Sequence, residues 1–256
     1  MTTLFSLEDR VALVTGGSRG IGLMIAAGFL RHGARRVYIS SRKADACDAA
    51  AAGLGALGEC DSLPADVSTV AGAQALAAAV GGRETQLDIL VNNAGAAWLA
   101  PLDEFPESGW DKVLDLNLKA PFFLTQALAP LLRAAARAER PAKVINVASI
   151  DGISVNPQET YSYAASKAGL IQLTRRMALR LIEDNIVVSA IAPGAFASDM
   201  NRDARDHAAE TAARIPAGRI GTDDDMAGAA VYLASRAGDY VVGSTLVVDG
   251  GLTHAR

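Results

Sequence analysis

Directly after the first apolar run of the chain comes the stretch Thr15-Gly16-Gly17-Ser18-Arg19-Gly20-Ile21-Gly22, and a helical pattern follows it. Glycines permit a tight turn and let the backbone approach a pyrophosphate, while the start of the next helix offers unpaired N–H groups and a positive dipole end. A lone glycine triplet would be weak evidence, but this one stands between strand and helix in the first βα unit. The stretch therefore predicts a dinucleotide cradle formed by Gly16, Ser18, Arg19, Gly20, Ile21 and Gly22.

Strand-like apolar runs alternate with helical patterns along the whole chain, which is typical of βαβ units and a parallel sheet. The runs are short and rich in Val, Ile and Leu, as expected for strands covered on both faces. The pattern predicts an α/β fold with a doubly wound parallel sheet. The predicted strands are Arg10 to Val14, Val37 to Ser41, Ser62 to Ala65, Ile89 to Asn92, Val144 to Ala148, Val187 to Ala192 and Leu246 to Val248.

The segment 196–218 interrupts this rhythm. It is polar and charged, and it lies between Pro193-Gly194 and Pro216. Long insertions in compact domains are usually lids or binding loops, so we expect a helical lid over a substrate site. No repeat, linker or low-complexity stretch indicates a second domain, and we therefore expect residues 1–256 to form a single domain that includes this insertion.

Composition excludes several classes of function. Half of the residues are apolar, the net charge is -4 and the pI is near 5.4. Without a basic block, a nucleic-acid or anionic-membrane partner has no electrostatic support. The histidines are scattered and the cysteines form no Cys-x-x-Cys motif, so we expect no metal site.

The chain also lacks the signals of export and membrane insertion. The segment Met1 to Glu8 has neither a basic region nor an apolar one, and no apolar run approaches the roughly 18 to 20 residues of a membrane span. Cys47 and Cys60 are interpreted as reduced thiols. We therefore expect a cytoplasmic protein.

A tyrosine and a lysine in the second half of the chain suggest acid–base chemistry. Tyr163 and Lys167 are four residues apart, so on a helix they share one face. A free phenol has a pKa of about 10, and a fixed ammonium beside Tyr163 is expected to lower that pKa by roughly 2 to 3 units. Tyr161 has Ala165 at the equivalent spacing and lacks this neighbour. The motif alone is also common in helices as a ring packed beneath a solvated amine.

Taken together, the motifs resemble those of the short-chain dehydrogenase/reductase family. They are Thr15 to Gly22, Asn92-Asn93-Ala94-Gly95, Asn117, Ser149, Tyr163 with Lys167, and Pro193-Gly194, and they occur in the family's order over nearly the whole chain. The resemblance implies one Rossmann-type domain with a seven-stranded sheet, a cofactor across the C-terminal edge of that sheet, and a homodimer or homotetramer.

The resemblance also assigns roles to residues. It implies that Ser149 polarises the substrate oxygen, Tyr163 exchanges the proton, Lys167 also binds the nicotinamide ribose, and Asn117 holds a water that links the lysine to solvent. We expect Trp98, Ile150 and Met200 to line the substrate pocket. Beyond the glycine turn, the expected cofactor contacts are Ser41, Arg42, Asp66, Val67, Asn93, Ala94, Gly95, Tyr163, Lys167, Pro193, Gly194 and Phe196.

The end of the second predicted strand indicates which nicotinamide cofactor is used. NAD-binding folds place a carboxylate there for the ribose 2′-hydroxyl. This chain has Ser41-Arg42-Lys43 instead. A 2′-phosphate would be bound by Arg42 together with Arg19 through charge-assisted hydrogen bonds, so the sequence predicts NADP(H).

Within the family, the closest resemblance is to 3-oxoacyl-thioester reductases of the rhamnolipid-synthesis type. We therefore expect NADPH-dependent reduction of a ketone to a secondary alcohol, with a 3-oxoacyl thioester of acyl carrier protein or CoA as substrate. Three arginines, Arg133, Arg137 and Arg140, would suit an acidic carrier protein, whereas Glu183-Asp184 would not. Two alternatives remain: a dehydrogenase of a sugar, polyol, steroid or small carbonyl compound, and a catalytically silent NADP-sensing scaffold.

Overall fold

A computed structural model describes residues 4–255 of the chain. Met1 to Thr3, part of the segment in which no signal sequence is expected, lie outside the described residues. Within 4–255 the chain forms a seven-stranded parallel sheet in the order β3-β2-β1-β4-β5-β6-β7. The strands are β1 (Val11–Thr15), β2 (Arg36–Ser40), β3 (Cys60–Ser62), β4 (Ile89–Asn92), β5 (Ala142–Val147), β6 (Ile186–Pro193) and β7 (Thr245–Val248).

Helices cover both faces of the sheet. They are α1 (Gly20–Arg31), α2 (Ala44–Leu54), α3 (Val70–Gly81), α4 (Glu107–Leu114), α5 (Ala120–Ala135), α6 (Tyr161–Leu181), α7 (Arg202–Asp206), α8 (Ala208–Ala212) and α9 (Asp223–Ala234). Alternate residues of β1 enter opposite cores: Val14 packs with α1, α2 and α9, whereas Leu13 packs with α3, α5 and α6. The predicted doubly wound Rossmann-type fold is confirmed. Between residues 4 and 255 no helix combines the length and the apolar character needed to cross a bilayer.

The order of the strands places the ligand crevice. The chain runs outward from β1 to β2 and β3, and then returns to pair β4 against the other side of β1. Ligands of open α/β sheets bind beyond the carboxyl ends of the strands at such a switch point. The glycine turn after β1 and Asn93 after β4 meet there.

The predicted strands agree with the structure except at the edge of the sheet. β3 covers Cys60–Ser62 rather than Ser62 to Ala65. Leu63 still donates to the carbonyl of Ile39 at 2.8 Å and Ala65 to that of Ser41 at 3.1 Å, so hydrogen bonds to the β2 side continue beyond the end of β3. The strand itself is polar, because an edge strand need not be buried. The segment 196–218 contains α7 and α8.

Candidate active site

The glycine turn brings the backbone into conformations that other residues rarely adopt. Gly16 has a φ of 65° and Gly20 a φ of 53°, both in the left-handed region. A Cβ on Gly16 would lie 2.7 Å from Nδ2 of Asn93, so the close approach of the two segments requires a glycine. α1 begins at Gly20, and its free N–H groups face the crevice end of the sheet. The turn and the start of α1 thus offer a backbone geometry suited to a phosphate.

Asn93 and Thr15 fix the turn to the end of β4. The amide of Asn93 donates to the carbonyl oxygens of Thr15 at 2.8 Å and of Gly16 at 3.2 Å. In return, Oγ1 of Thr15 accepts from the backbone N–H groups of Asn93 and Ala94. The side chain of Asn93 thus braces the cradle, and Thr15, which was not among the predicted site residues, completes the brace. Its position directly before the first glycine was the available signal.

The residues expected around the adenosine ribose lie together beyond β2 and β3. Arg42 is exposed, and its charge contributes to lowering the pKa of Asp66, although the main cause is a hydrogen bond from the Ser68 hydroxyl. Ser40, the last residue of β2, has a buried hydroxyl with no partner among the described residues. An exposed guanidinium at this place, without a carboxylate at the end of β2, fits a phosphorylated ribose.

Ser149 and Tyr163 meet beyond the carboxyl end of β5. Ser149 follows that strand, and its Oγ accepts from the backbone N–H of Asp151 at 3.1 Å. Burial raises the pKa of Tyr163 to about 12, the hydrogen bond with Ser149 lowers it, and the charge of Asp151 raises it. The expected lowering of this pKa by Lys167 is therefore not found in the chain alone: the lysine is not among the causes of the shift, and loss of hydration at the phenol is the largest of them.

Lys167 lies on α6 beneath the tyrosine ring, as the spacing predicts. Its Nζ is 5.6 Å from the centre of the Tyr163 ring and donates to the carbonyl of Val147 at 2.7 Å. The side chain is almost fully buried, and burial lowers the pKa of the ammonium to about 8. An ammonium carries three donors. Since the described residues supply this one acceptor, the remaining donors fit ribose hydroxyl groups.

Asn117 lies in a π-helical segment, Asp115–Lys119, between α4 and α5. Its Oδ1 accepts from the N–H of Ala96 at 2.8 Å, and its Nδ2 donates to the carbonyl of Ala96 and to Oγ of Ser166. Turns of this kind often occur at functional sites. Here the π turn carries a buried amide that joins the loop after β4 to α6, in the same layer as Lys167.

The predicted substrate residues differ in their accessibility. Trp98 is partly exposed and packs on α4, where a Cβ on Gly109 would lie 2.7 Å from its ring. Ile150 is partly exposed and Met200 is exposed. In contrast, Phe196 is only 2% exposed and belongs to the core, so its ring cannot line an open pocket. Of Phe196, only the backbone is available to a cofactor.

The lid segment contacts the glycine turn through an ion pair that the sequence did not indicate. Nη1 of Arg19 lies 2.6 Å from Asp199, and Nη1 of Arg205 lies 2.6 Å from the other oxygen of the same carboxylate. A Cβ on Gly20 would lie 3.2 Å from Cβ of Ser198. Arg19, which is expected to bind phosphate, is therefore paired with a carboxylate of segment 196–218 in this structure.

This site fits NADP(H), and each part of the cofactor has residues suited to it. The glycine turn and α1 suit the pyrophosphate, Arg19 and Arg42 the 2′-phosphate, and Lys167 the nicotinamide ribose. Ser149 and Tyr163 lie where a carbonyl substrate would meet a hydroxyl donor. No cluster of potential metal ligands occurs between residues 4 and 255.

Comparison with known proteins agrees with this geometry. A family model described as enoyl-(acyl carrier protein) reductase matches residues 16–253. The rhamnolipid-biosynthesis 3-oxoacyl-[acyl-carrier-protein] reductase of Pseudomonas aeruginosa is 50% identical, covering 98% of this chain and 99% of that protein. Gluconate 5-dehydrogenase of Gluconobacter oxydans is 37% identical, covering 98% and 97%.

Solved structures of similar proteins match the fold over nearly the whole chain. The RhlG/NADP active-site complex of Pseudomonas aeruginosa matches with a TM-score of 0.95 and 48% identity, over 99% of this chain and 100% of that one. A gluconate 5-dehydrogenase from Burkholderia cenocepacia in complex with NADP and tartrate matches with a TM-score of 0.89 and 35% identity, over 99% and 98%.

Proposed function

This chain belongs to the short-chain dehydrogenase/reductase family, and from that premise we propose that it uses NADPH to reduce a 3-oxoacyl thioester to the 3-hydroxyacyl form. The observation that carries the proposal is the convergence of Ser149, Tyr163 and Lys167 beyond the carboxyl end of β5. The relative that is 50% identical over nearly the whole chain is named for this reaction.

The protonation state of the site suits reduction. A nicotinamide bound here would supply the hydride for the carbonyl carbon. The carbonyl oxygen then needs a proton, and Tyr163 carries one at neutral pH because burial raises the pKa of its phenol to about 12. The Ser149 hydroxyl is placed to donate a hydrogen bond to the same oxygen. Lys167, charged below a pH of about 8, favours the tyrosinate that remains.

The surroundings of the site favour an acyl substrate. Exposed apolar side chains occur on three segments around the opening, namely Leu99 and Leu102 after β4, Ile153 after β5, and Met200 in the lid segment. Burial of these side chains against an acyl tail stabilises the bound substrate. The hydroxyl groups of a sugar acid would lose water at the same place without gaining hydrogen bonds. We propose that this apolar opening accommodates the acyl chain of the substrate.

A sugar or polyol dehydrogenase is the second candidate. Relatives named for gluconate, 2-dehydro-3-deoxy-D-gluconate and galactitol are 36% to 40% identical over nearly the full chain. The same three residues would serve the oxidation of a secondary alcohol, in which NADP⁺ would accept the hydride and the ionised Tyr163 would accept the hydroxyl proton. A catalytically silent sensor is opposed by the presence of all three.

The arginines considered for docking of a carrier protein lie near the amino ends of the strands, whereas the reacting groups lie at the carboxyl ends. Arg140 precedes β5, whereas Ser149 follows it, which separates them by roughly 20 Å at about 3.3 Å per residue. Arg133 pairs with Asp184 at 2.9 Å, and Arg140 donates to the carbonyl of Glu8. If acyl carrier protein delivers the substrate, we propose that it docks at the carboxyl ends of the strands, around segment 196–218.

We further propose a homotetramer or homodimer that works in the cytoplasm. β7 is the last strand of the sheet and is only partly buried, so its outer edge is open to a second copy of the chain. Support for the cytoplasm comes from Cys47 and Cys60, which are free thiols.

Oxidation of NADPH distinguishes these candidates. The purified protein is mixed with NADPH and acetoacetyl-CoA, 3-oxodecanoyl-CoA or 5-ketogluconate, and the loss of absorbance of NADPH is followed. We expect turnover with the thioesters and little with 5-ketogluconate. The reverse order would favour the sugar-acid enzyme, and binding of NADPH without turnover of any substrate would favour the sensor.

A further inference from the structure

Two neighbouring loops leave the sheet at the carboxyl ends of the strands, where the reacting groups lie. The first follows β4 and comprises residues 93–106, and the second follows β5 and comprises residues 148–160. β4 and β5 are paired parallel neighbours, so these loops form adjacent walls of the opening. The first wall carries Trp98, and the second begins at Ser149.

Glu159 joins the two walls. Its Oε1 accepts from the hydroxyl of Tyr161 at 2.7 Å and from the backbone N–H of Leu102 at 3.3 Å. Its backbone carbonyl also accepts from the N–H of Ala100 at 3.4 Å. Glu159 of the second loop therefore accepts three hydrogen bonds, two from the first loop and one from the start of α6.

Aromatic contacts add to this connection. The ring of Phe105 meets the ring of Tyr161 edge to face, with centroids 5.6 Å apart, and it meets Trp110 of α4 in the same way at 6.4 Å. Such pairs contribute beyond the area that they bury. Tyr161, which lies two residues before Tyr163, therefore fixes the first wall on α6 through both its hydroxyl and its ring.

The wall held in this way presents apolar side chains to solvent. Leu99 is 64% exposed and Leu102 is 66% exposed, and across the opening Val155 is fully exposed. Exposed apolar groups gathered at one place mark a surface that a ligand covers. The thioester of the proposed function has an apolar tail that extends outward once its carbonyl lies at Ser149 and Tyr163.

We propose that Glu159 and Tyr161 are positioning residues that set the preference for long acyl chains, because they hold Leu99 and Leu102 where the distal part of the chain leaves the site. This proposal rests on the proposed function. Neither residue contacts the reacting carbonyl. Their effect is expected on the binding of the tail and not on proton transfer.

The test compares two chain lengths in four variants. We measure kcat and KM for acetoacetyl-CoA and 3-oxodecanoyl-CoA with Glu159→Ala, Tyr161→Phe, Glu159→Gln and, as a control on neighbouring α4, Glu107→Gln. Loss of one net hydrogen bond corresponds to about a 3- to 10-fold change. We expect Glu159→Ala and Tyr161→Phe to raise KM for the long substrate by about this factor. We expect kcat and the KM for acetoacetyl-CoA to stay unchanged.

Glu159→Gln retains an oxygen that accepts both hydrogen bonds, so we expect it to behave like the wild type, as does Glu107→Gln. Equal increases in KM for both chain lengths, or no increase for either, would overturn the proposal. So would a loss of NADPH affinity, measured by fluorescence, because it would indicate general damage to the site. If the wild type turned over neither thioester, the proposed function and this inference would both fail. If the wild type turned over both thioesters but the variants showed no dependence on chain length, only this inference would fail.

Discussion

The ammonium of Lys167 lies 5.6 Å from the centre of the Tyr163 ring and donates a hydrogen bond to the carbonyl of Val147 at 2.7 Å. The lysine is thus close enough to stabilise a tyrosinate but does not bind the phenol directly. In the chain alone, burial governs both groups: it raises the pKa of Tyr163 to about 12 and lowers that of Lys167 to about 8. This arrangement keeps the phenol protonated until a substrate accepts its proton.

The first prediction concerns the proton donor. Tyr163→Phe removes the hydroxyl, and we expect kcat with acetoacetyl-CoA to fall by about 10²- to 10⁴-fold, the usual contribution of general acid catalysis. Affinity for NADPH should change by less than about twofold, since the ring remains. The matched variant Tyr161→Phe should leave kcat for this short substrate unchanged, and comparable losses of kcat in the two variants would refute the assignment.

A second prediction follows from the buried lysine. As the pH rises through about 8, Lys167 loses its proton and its positive charge. Tyr163, with a pKa of about 12, stays protonated over this range. We therefore expect kcat/KM for reduction to fall above a pH of about 8 with a single ionisation, as measured with saturating NADPH. A constant kcat/KM up to a pH of about 10 would contradict the role of this charge.

The choice of cofactor can be tested at the end of β2. Arg42→Ala removes the guanidinium proposed to bind the 2′-phosphate. We expect KM for NADPH to rise about 10-fold, as for loss of one charge-assisted hydrogen bond, while KM for NADH changes little. Lys43→Ala, one residue further on, is the control. A similar rise for both cofactors would show that Arg42 serves the fold and not the phosphate.

The contact between the lid and the glycine turn leads to a fourth prediction. Arg19 pairs with Asp199 at 2.6 Å, so a phosphate must compete with this carboxylate for the guanidinium. Exposed pairs of this kind contribute up to about 1 kcal/mol, which corresponds to about fivefold in affinity. We expect Asp199→Asn to tighten NADPH binding by up to this factor, as measured by fluorescence titration. Asp206→Asn, which removes a partner of Arg205 and not of Arg19, should leave NADPH affinity unchanged, and weaker binding in Asp199→Asn would exclude the competition.

A fifth prediction concerns stability at the edge remote from the site. Lys143 is 1% exposed, and its Nζ lies 2.7 Å from Asp239. Asp239→Ala leaves this buried ammonium without its carboxylate, so the free energy of unfolding should fall by about 3 kcal/mol, at the low end for a broken buried pair because Asp239 is 30% exposed. In urea denaturation, Lys143→Met combined with Asp239→Ala should recover most of the loss. An Asp239→Ala variant as stable as the wild type would contradict this interpretation.

Much of the fold and of the site follows from short-range patterns in the sequence. The position of a glycine turn after an apolar run, and the spacing of Tyr163 and Lys167 on one helix, depend only on backbone geometry over a few residues. The alternation of apolar runs and helical patterns likewise predicts a parallel sheet with helices on both faces, because strands rich in Val, Ile and Leu must be buried on both sides. The family motifs and the missing carboxylate after β2 could be identified in the same way.

The tertiary structure decided what depends on distant partners and on burial. Nothing near Asn117 in the sequence shows that its amide joins Ala96 to Ser166, and nothing near Glu159 shows that it holds the loop that carries Leu102. The direction of the Tyr163 pKa could not be predicted either, because the spacing reveals a nearby charge but not the hydration lost on folding. Local pattern specifies which groups are present, whereas packing determines which of them meet and how much water they keep.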